Sequence, residues 1–299
     1  MRYEPKLDGF RAVIAVDSGT VSVWSRQQKR LTDWFPEVAA AAAAQIPDGV
    51  VVDGEIVAIS AGRLDFEVLQ RRLGTTATRA ARLARDQPAS FVAFDVLAVL
   101  GVDVRPHTLH ARRELLVELA AEWSPPLQLG WQSRELEQAT AWFNELTSVG
   151  IEGIVAKGAA QPYAGDARDW VKVKRRDVVD VIIGAAFGPI DRPEALVVGL
   201  YDEGGRLRVA GRTSPLKPSQ ARQVGSLLRP PSGAHPWPTV LSPGALGGRF
   251  TGARELVRLT LVDPVAAEVS ADVAMSGRSF RHLVRFVRLR PDLPAGPNS

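Results

Sequence analysis

The stretch Tyr3-Glu4-Pro5-Lys6-Leu7-Asp8-Gly9-Phe10-Arg11 decides the reading of this chain. Asp8-Gly9 makes a turn, because glycine tolerates the positive φ that other residues avoid. Lys6 and Arg11 then sit on either side of that turn and point at one ligand. A lone lysine on a strand is normally a solvated charge. A lysine near other cations, or in a dry pocket, has a lowered pKa and becomes a nucleophile. An arginine fork nearby would hold a phosphate or a ribose. The stretch points to covalent nucleotidyl transfer if the rest of the chain supplies matching parts.

With 299 residues the chain is long enough for two domains of ordinary size. Its 45% hydrophobic and 23% charged residues are those of a soluble globular protein. The absence of cysteine excludes disulfides, thiolate catalysis and cysteine metal sites, and suits the cytoplasm. The four histidines stand singly, which argues against structural zinc. No apolar run reaches membrane-spanning length and no signal peptide precedes Lys6, so the expected location is cytoplasmic and nucleoid-associated. Residues 1–176 hold 22 Lys and Arg against 22 Asp and Glu, and residues 177–299 hold 15 against 11, so the whole net charge of +4 lies in the second part. That excess suits a polyanionic partner, and arginine-rich codon usage explains it equally well.

Working outward from Arg11, residues 12–24 read as two short strands joined at Asp17-Ser18-Gly19. The alanine run 39–44 predicts a helix with a thin, close-packing face. Residues 50–59 form an apolar strand interrupted by Asp53-Gly54-Glu55, and residues 65–73 a helix capped by Asp65. Residues 90–100 are a buried strand with one charge, Asp95, beside Phe94. Helices are predicted over 107–123 and 133–148, followed by a strand over 151–157 that bears Glu152 next to a glycine. Residues 170–174 alternate strictly, placing Trp170, Lys172 and Lys174 on one face. After Arg176 come strands at 178–187, 195–201, 206–211, 256–262 and 285–289, one helix near 219–228 and a proline-rich insertion at 230–238. The expected fold is α+β, with domains at 1–176 and 177–299, the second a small Greek-key barrel of the OB type.

Glu55 and Glu152 each lie beside a glycine inside an otherwise apolar strand. A buried carboxylate is unfavourable unless it is paired or bound to metal. A structural ion pair with Arg11 or a lysine would account for either one alone. Together with Lys6, Lys172 and Lys174 they suit a nucleoside triphosphate with Mg²⁺, or Mn²⁺ in its place. Lys172 and Lys174 would grip the α-phosphate and help lower the pKa of Lys6. Phe94 is either a base-stacking ring or a plain core residue.

The set resembles the covalent nucleotidyltransferase superfamily, and most closely the bacterial ATP-dependent DNA ligases. Lys6-Leu7-Asp8-Gly9-Phe10-Arg11 is similar to the first family motif, with Lys6 as the adenylylated nucleophile. Ser25-Arg26 resembles the next, whose arginine contacts the ribose or the nick phosphate. Asp53-Gly54-Glu55 resembles the third, which implies Glu55 near ribose and metal. Phe94-Asp95 resembles the strand whose aromatic stacks on adenine. Glu152 to Lys157 resembles the fourth motif, with Glu152 as a metal-linked carboxylate, and Trp170 to Lys174 the fifth, with both lysines on phosphate. Glu4, two residues before the nucleophile, would bind the adenine amino group. Arg288-Leu289-Arg290-Pro291-Asp292 resembles the last motif, which implies that Arg288 and Arg290 orient the pyrophosphate leaving group.

The resemblance covers nearly the whole chain and implies an adenylyltransferase domain of ATP-grasp-like antiparallel sheets and helices, followed by a mobile OB domain. Small actinobacterial ligases linked to end joining and base repair are the nearest type. Two departures stand out. The chain begins five residues before Lys6, where the family carries a further segment beside the adenine pocket, so a truncated start or a pocket lacking that edge is expected. Leu293 stands where many relatives carry a basic residue, which would weaken the triphosphate reaction more than sealing. Residues 200–255 match the family poorly.

The implied function is ATP-dependent sealing of nicked double-stranded DNA by a monomer, with end-joining or repair proteins as further partners. An RNA ligase or a GTP-dependent capping enzyme shares the Lys-x-Asp-Gly element and the OB partner. A non-catalytic nucleic-acid end-binding protein is the alternative from a different class.

Overall fold

The first strand of the chain finds its partner near the far end of the first domain. In the computed structural model, which describes residues 1–164, 170–246, 256–272, 275–276 and 279–296, β1 (Arg2–Pro5) pairs antiparallel with β6 (Gly153–Lys157), and β6 pairs on its other edge with β7 (Val171–Lys174). This three-stranded sheet belongs to a unit spanning Met1–Lys174; a second unit spans Arg175–Ser299.

The larger sheet of the first unit is built on β2 (Phe10–Asp17), β3 (Thr20–Ser25), β4 (Val50–Ser60) and β5 (Ala89–Val99), in the order β3-β2-β4-β5. Ser18 and Gly19 both adopt positive φ, 49° and 72°, the turn geometry whose twist matches a β-hairpin. Ala12, Ile14, Val52, Ile56, Phe91 and Val96 form the core beneath the sheet. The helix α1 (Pro36–Gln45) buries Val38, Ala41 and Ala42, so its alanines permit the close packing expected of them. The other helices of this unit are α2 (Phe66–Gln70), α3 (Ala77–Asp86), α4 (Leu109–Leu119) and α5 (Leu136–Glu145).

Asp65 caps α2 as expected, accepting from the backbone N–H of Glu67 at 2.9 Å. The helix is shorter than the sequence suggests, because the chain turns at Gly74 with a φ of 72°. The sequence reading passes over α3 entirely. Its apolar positions Ala77, Ala80, Ala81 and Ala84 recur at helical spacing, but they are alanines on an arginine-rich segment and only Ala80 is fully buried.

The second unit is a five-stranded antiparallel sheet of β8 (Arg176–Phe187), β9 (Ala195–Tyr201), β10 (Leu207–Arg212), β11 (Thr260–Asp272) and β12 (Arg285–Leu289), in the order β10-β9-β8-β11-β12. Its two edges meet at a bridge between Thr213 and Val284, where the Ser214 N–H donates to the Val284 carbonyl at 2.8 Å. Closure of this kind removes the open edges of a small barrel. The helix α6 (Pro218–Gly225) packs Val224 into the core. The strand expected at 256–262 runs on to Asp272. Pro264, which reads as a strand breaker, falls in a bulge where Ile183 faces Val265 and Ala185 faces Leu261. Trp237, from the proline-rich segment, fills the interior: Cβ atoms added at Gly184 and Gly199 would lie 2.6 and 2.5 Å from its ring. Leu293 packs in the same cluster, so its apolar side chain has a structural use. Among the described residues no helix is long and apolar enough to cross a membrane.

Candidate active site

Backbone register brings the predicted nucleophile to its predicted carboxylate. The Lys6 N–H donates to the Gly153 carbonyl at 2.8 Å, and the Glu152 N–H donates back to the Lys6 carbonyl at 2.9 Å. The Lys6 ammonium donates to the Glu152 carboxylate, and Lys174 Nζ lies 3.8 Å from the same oxygen. Glu152 is 8% exposed, so these cations are what makes its charge tolerable. Gly153 explains how the strands approach so closely. Its φ is 151°, and a Cβ there would sit 2.0 Å from the Val173 carbonyl oxygen.

Lys172 lies one alternation before Lys174 on β7. Partial burial, together with the charges of Lys6, Arg11 and Arg26, holds its pKa below the usual lysine value. Val171 and Val173, on the opposite face, are exposed. Four cations thus act on one small volume, the field required to bind a polyphosphate. Arg26 itself is exposed, just past the end of β3.

Glu55, on β4, is the group that fits a divalent cation. Desolvation, reinforced by Asp53 and Asp8 and opposed by Lys6 and Arg11, pushes its carboxyl up to about 8. A carboxyl held in its protonated form beside other acids is one that a cation would ionise. Among the described residues no cluster of three or more acidic or histidine side chains forms a complete metal cage.

Arg11 pairs with a partner that the sequence reading did not assign. Its Nε and Nη2 donate to the two oxygens of buried Asp53, at 3.1 and 2.6 Å. Tyr163 joins them: its hydroxyl donates to Asp53 at 2.8 Å and accepts from Arg11 at 3.1 Å. Burial, then the Asp53 charge, push the phenol above its usual pKa, which keeps the hydroxyl a donor. Nothing in the sequence around Tyr163 announces this role. Asp95, by contrast, is tied to buried Arg112 at 2.7 and 2.9 Å and is structural.

The base-binding candidates meet through Lys157. Its Nζ, on a residue 1% exposed, lies 2.7 Å from Glu4 and 3.9 and 4.5 Å from the ring centres of Trp170 and Phe94. Gln132 donates to the other Glu4 oxygen at 2.8 Å. Phe94 meets Trp170 edge to face at 5.9 Å, and the Arg11 guanidinium lies 4.9 Å from the Trp170 ring. Phe94 thus has cationic neighbours in Arg11 and Lys157 as well as an aromatic one. Trp170, Lys157 and Gln132 belong to this cluster, although the sequence reading gave them no role.

Arg288 and Arg290 lie in the second unit. Arg288 pairs with Glu268 at 2.8 Å, and Arg290 pairs with Asp292 at 2.7 Å and Asp180 at 3.0 Å. Both guanidiniums are thus held by acids of their own unit.

The profile of the ATP dependent DNA ligase domain matches residues 1–174. DNA ligase C2 of Mycolicibacterium smegmatis is 34% identical over an alignment covering 99% of this chain and 87% of that protein. DNA ligase C of Mycobacterium tuberculosis is 31% identical, covering 97% and 86%. Among solved structures, the ligase domain of M. tuberculosis LigD aligns with a TM-score of 0.51 at 25% identity, covering 98% of this chain and 90% of that one. A Lig E DNA ligase, 18% identical over 97% and 92% of the two chains, shares the fold with a TM-score of 0.57. With Lys6, Glu152 and Lys174 already in one place, the chain belongs to the ATP-dependent DNA ligase family.

Proposed function

We propose that this ligase seals nicks in double-stranded DNA through an AMP carried on Lys6. The observation that carries the reading is the convergence of Lys6, Glu152 and Lys174, fixed by reciprocal backbone hydrogen bonds. Lys6 Nζ attacks the α-phosphorus of ATP; a P–N bond forms, the bond to the bridging oxygen breaks, and pyrophosphate leaves. Glu152, already hydrogen-bonded to Lys6, orients the amine and is placed to accept its proton. The nick 5′-phosphate oxygen then attacks the same phosphorus and frees Lys6. Finally the 3′-hydroxyl displaces AMP and closes the strand.

Lys172 and Lys174 neutralise the charge that develops on the α-phosphate in each step. Glu4, paired with Lys157 at 2.7 Å, accepts from the adenine amino group, and Phe94 lies against the base. Arg11 and Arg26 hold ribose and nick phosphate, and Arg288 and Arg290 orient pyrophosphate. Glu55 and Glu152 would hold Mg²⁺, which supplies electrostatic stabilisation of the phosphates when bound. DNA repair or end joining, in a bacterial cytoplasm, is the setting that best fits such an activity.

The test is incubation with α-labelled ATP or GTP and Mg²⁺, using the parent protein and Lys6→Ala, followed by singly nicked DNA or RNA. Label from ATP on the parent alone, and sealing of nicked DNA, are expected. Label retained by Lys6→Ala, or label from GTP only, would overturn the reading.

A further inference from the structure

The first unit contains a cationic surface although its 22 Asp and Glu outnumber its 20 Lys and Arg. Between Glu67 and Asp86 the chain carries five arginines and no acid. One of them, Arg72, is fully buried and acts as a staple. Its Nη1 donates to Glu37 on α1 at 2.7 Å, its Nη2 donates to the Leu83 carbonyl in α3 at 3.2 Å, and its guanidinium lies 5.4 Å from the Phe35 ring centre. The helix α3 is therefore anchored by a buried charge as well as by a thin alanine stripe, of which only Ala80 is fully buried.

What the staple presents outward is Arg79, Arg82 and Arg85, all exposed. At 100° per residue they occupy one helix face, and they extend about 9 Å along the axis. None of the three has an ion-pair partner among the described residues, whereas Arg71, just before them, is matched by Glu67 at 3.8 Å. Asp86 is the one acid that follows. The helix packs on the turn Thr32–Trp34. That turn is reached from the exposed loop carrying Arg26, Lys29 and Arg30. Arg26 in turn lies close enough to Lys172 to lower its pKa. Exposed cations thus lead away from the catalytic lysines toward α3.

We infer that the Arg79–Arg82–Arg85 face of α3 binds the phosphate backbone of duplex DNA flanking the nick. The proposal rests on the ligase reading and adds a contact surface to it. Duplex DNA presents a phosphate every 3.4 Å of rise along each strand, so about 9 Å of helix spans two to three successive nucleotides. Contacts of this kind position the duplex without reading its sequence. A solvated face kept for solubility is the competing explanation, and it predicts no dependence of DNA binding on these residues.

The experiment measures Kd for a nicked duplex across a salt series, for the parent, for R79A/R82A/R85A and for R79K/R82K/R85K. Alanine and lysine both favour helix, so α3 persists in either variant. Three lost phosphate contacts reduce the slope of log K against log salt by about 2.7, from 0.9 per contact. That reduction is expected in the alanine variant, with the slope kept in the lysine variant and Lys6 labelling by ATP unchanged in both. An unchanged slope in the alanine variant overturns the inference. So does a slope lost in the lysine variant, because a charge contact would survive there. Failure of Lys6 labelling in the parent would overturn the ligase reading, and that readout needs no DNA.

Discussion

Lys6 and Glu152 are joined twice, once by paired side chains and once by the Glu152 N–H donating to the Lys6 carbonyl at 2.9 Å. The backbone bond survives substitution of the glutamate, so the contribution of the carboxylate alone can be measured. Glu152→Gln should retain the fold and lower the rate of Lys6 labelling by ATP at least a hundredfold, the scale for removing a positioned acid–base group. A single-turnover assay with labelled ATP checks this. A labelling rate within a few-fold of the parent would leave Glu152 a purely structural partner.

Tyr163 is the joint between Arg11 and Asp53. Tyr163→Phe removes one donated and one accepted hydrogen bond but keeps the ring against Trp170. The stability loss should be about 1 kcal/mol. Nick sealing should fall about tenfold, since Arg11 is then held by Asp53 alone. Urea denaturation and sealing kinetics on one preparation give both numbers, and an unaltered sealing rate would contradict the role.

The Glu4–Lys157 pair is buried, so its members are not equivalent to surface charges. Glu4→Gln leaves the Lys157 ammonium without its counter-ion, and a destabilisation of about 3–5 kcal/mol is expected. Adding Lys157→Met should recover part of that loss, because the second change removes the stranded charge. A double-mutant cycle in urea decides; additive losses would show that the two residues act independently.

Glu55 predicts a pH signature. Its folded value, about 8, lies above the ordinary 4.5, so between these values the native state keeps a proton that the unfolded chain has released. The stability due to this group is full below about 4.5 and is lost as pH rises through about 8. Glu55→Gln escapes that loss. Its advantage over the parent should grow across this window to on the order of 5 kcal/mol and then level off. If a divalent cation binds here, the concentration needed for half-maximal labelling should fall as pH rises toward 8, because the cation competes with the proton. Thermal melts across pH test the first statement and cation titrations the second.

Gly153→Ala places a methyl group where the Val173 carbonyl already lies, at a φ of 151°. Separation of β7 from β6 is the only relief, and it carries Lys172 and Lys174 away from Lys6. A loss of about 3 kcal/mol or more, together with loss of labelling, is expected. A normal melting temperature in this variant would refute the close-approach argument.

The sequence disclosed the groups that bear charge where strands should be apolar. Lys6, Glu55, Glu152, Lys172 and Lys174 stand out against their neighbours, and the structure brings Lys6, Glu152 and Lys174 together. It disclosed long strands for the same reason, through their apolar runs. It did not disclose Tyr163, because a single hydroxyl in a loop carries no periodicity. Nor did it disclose α3, whose apolar face is made of alanines and is tied down by Arg72 reaching across from another turn. The strand through Pro264 was also hidden, since a bulge is a property of two paired chains and not of one.

The pairing of Arg2 with Lys157 has a consequence for how the protein is made. Strand β1 is synthesised about 150 residues before the strand it pairs with. Closing so large a loop makes this sheet a late event in folding. A nascent chain that has emerged only as far as β5 holds Lys6 but has neither Glu152 nor the two lysines of β7. On the proposed chemistry, Lys6 gains its partners only once the whole first unit has been synthesised.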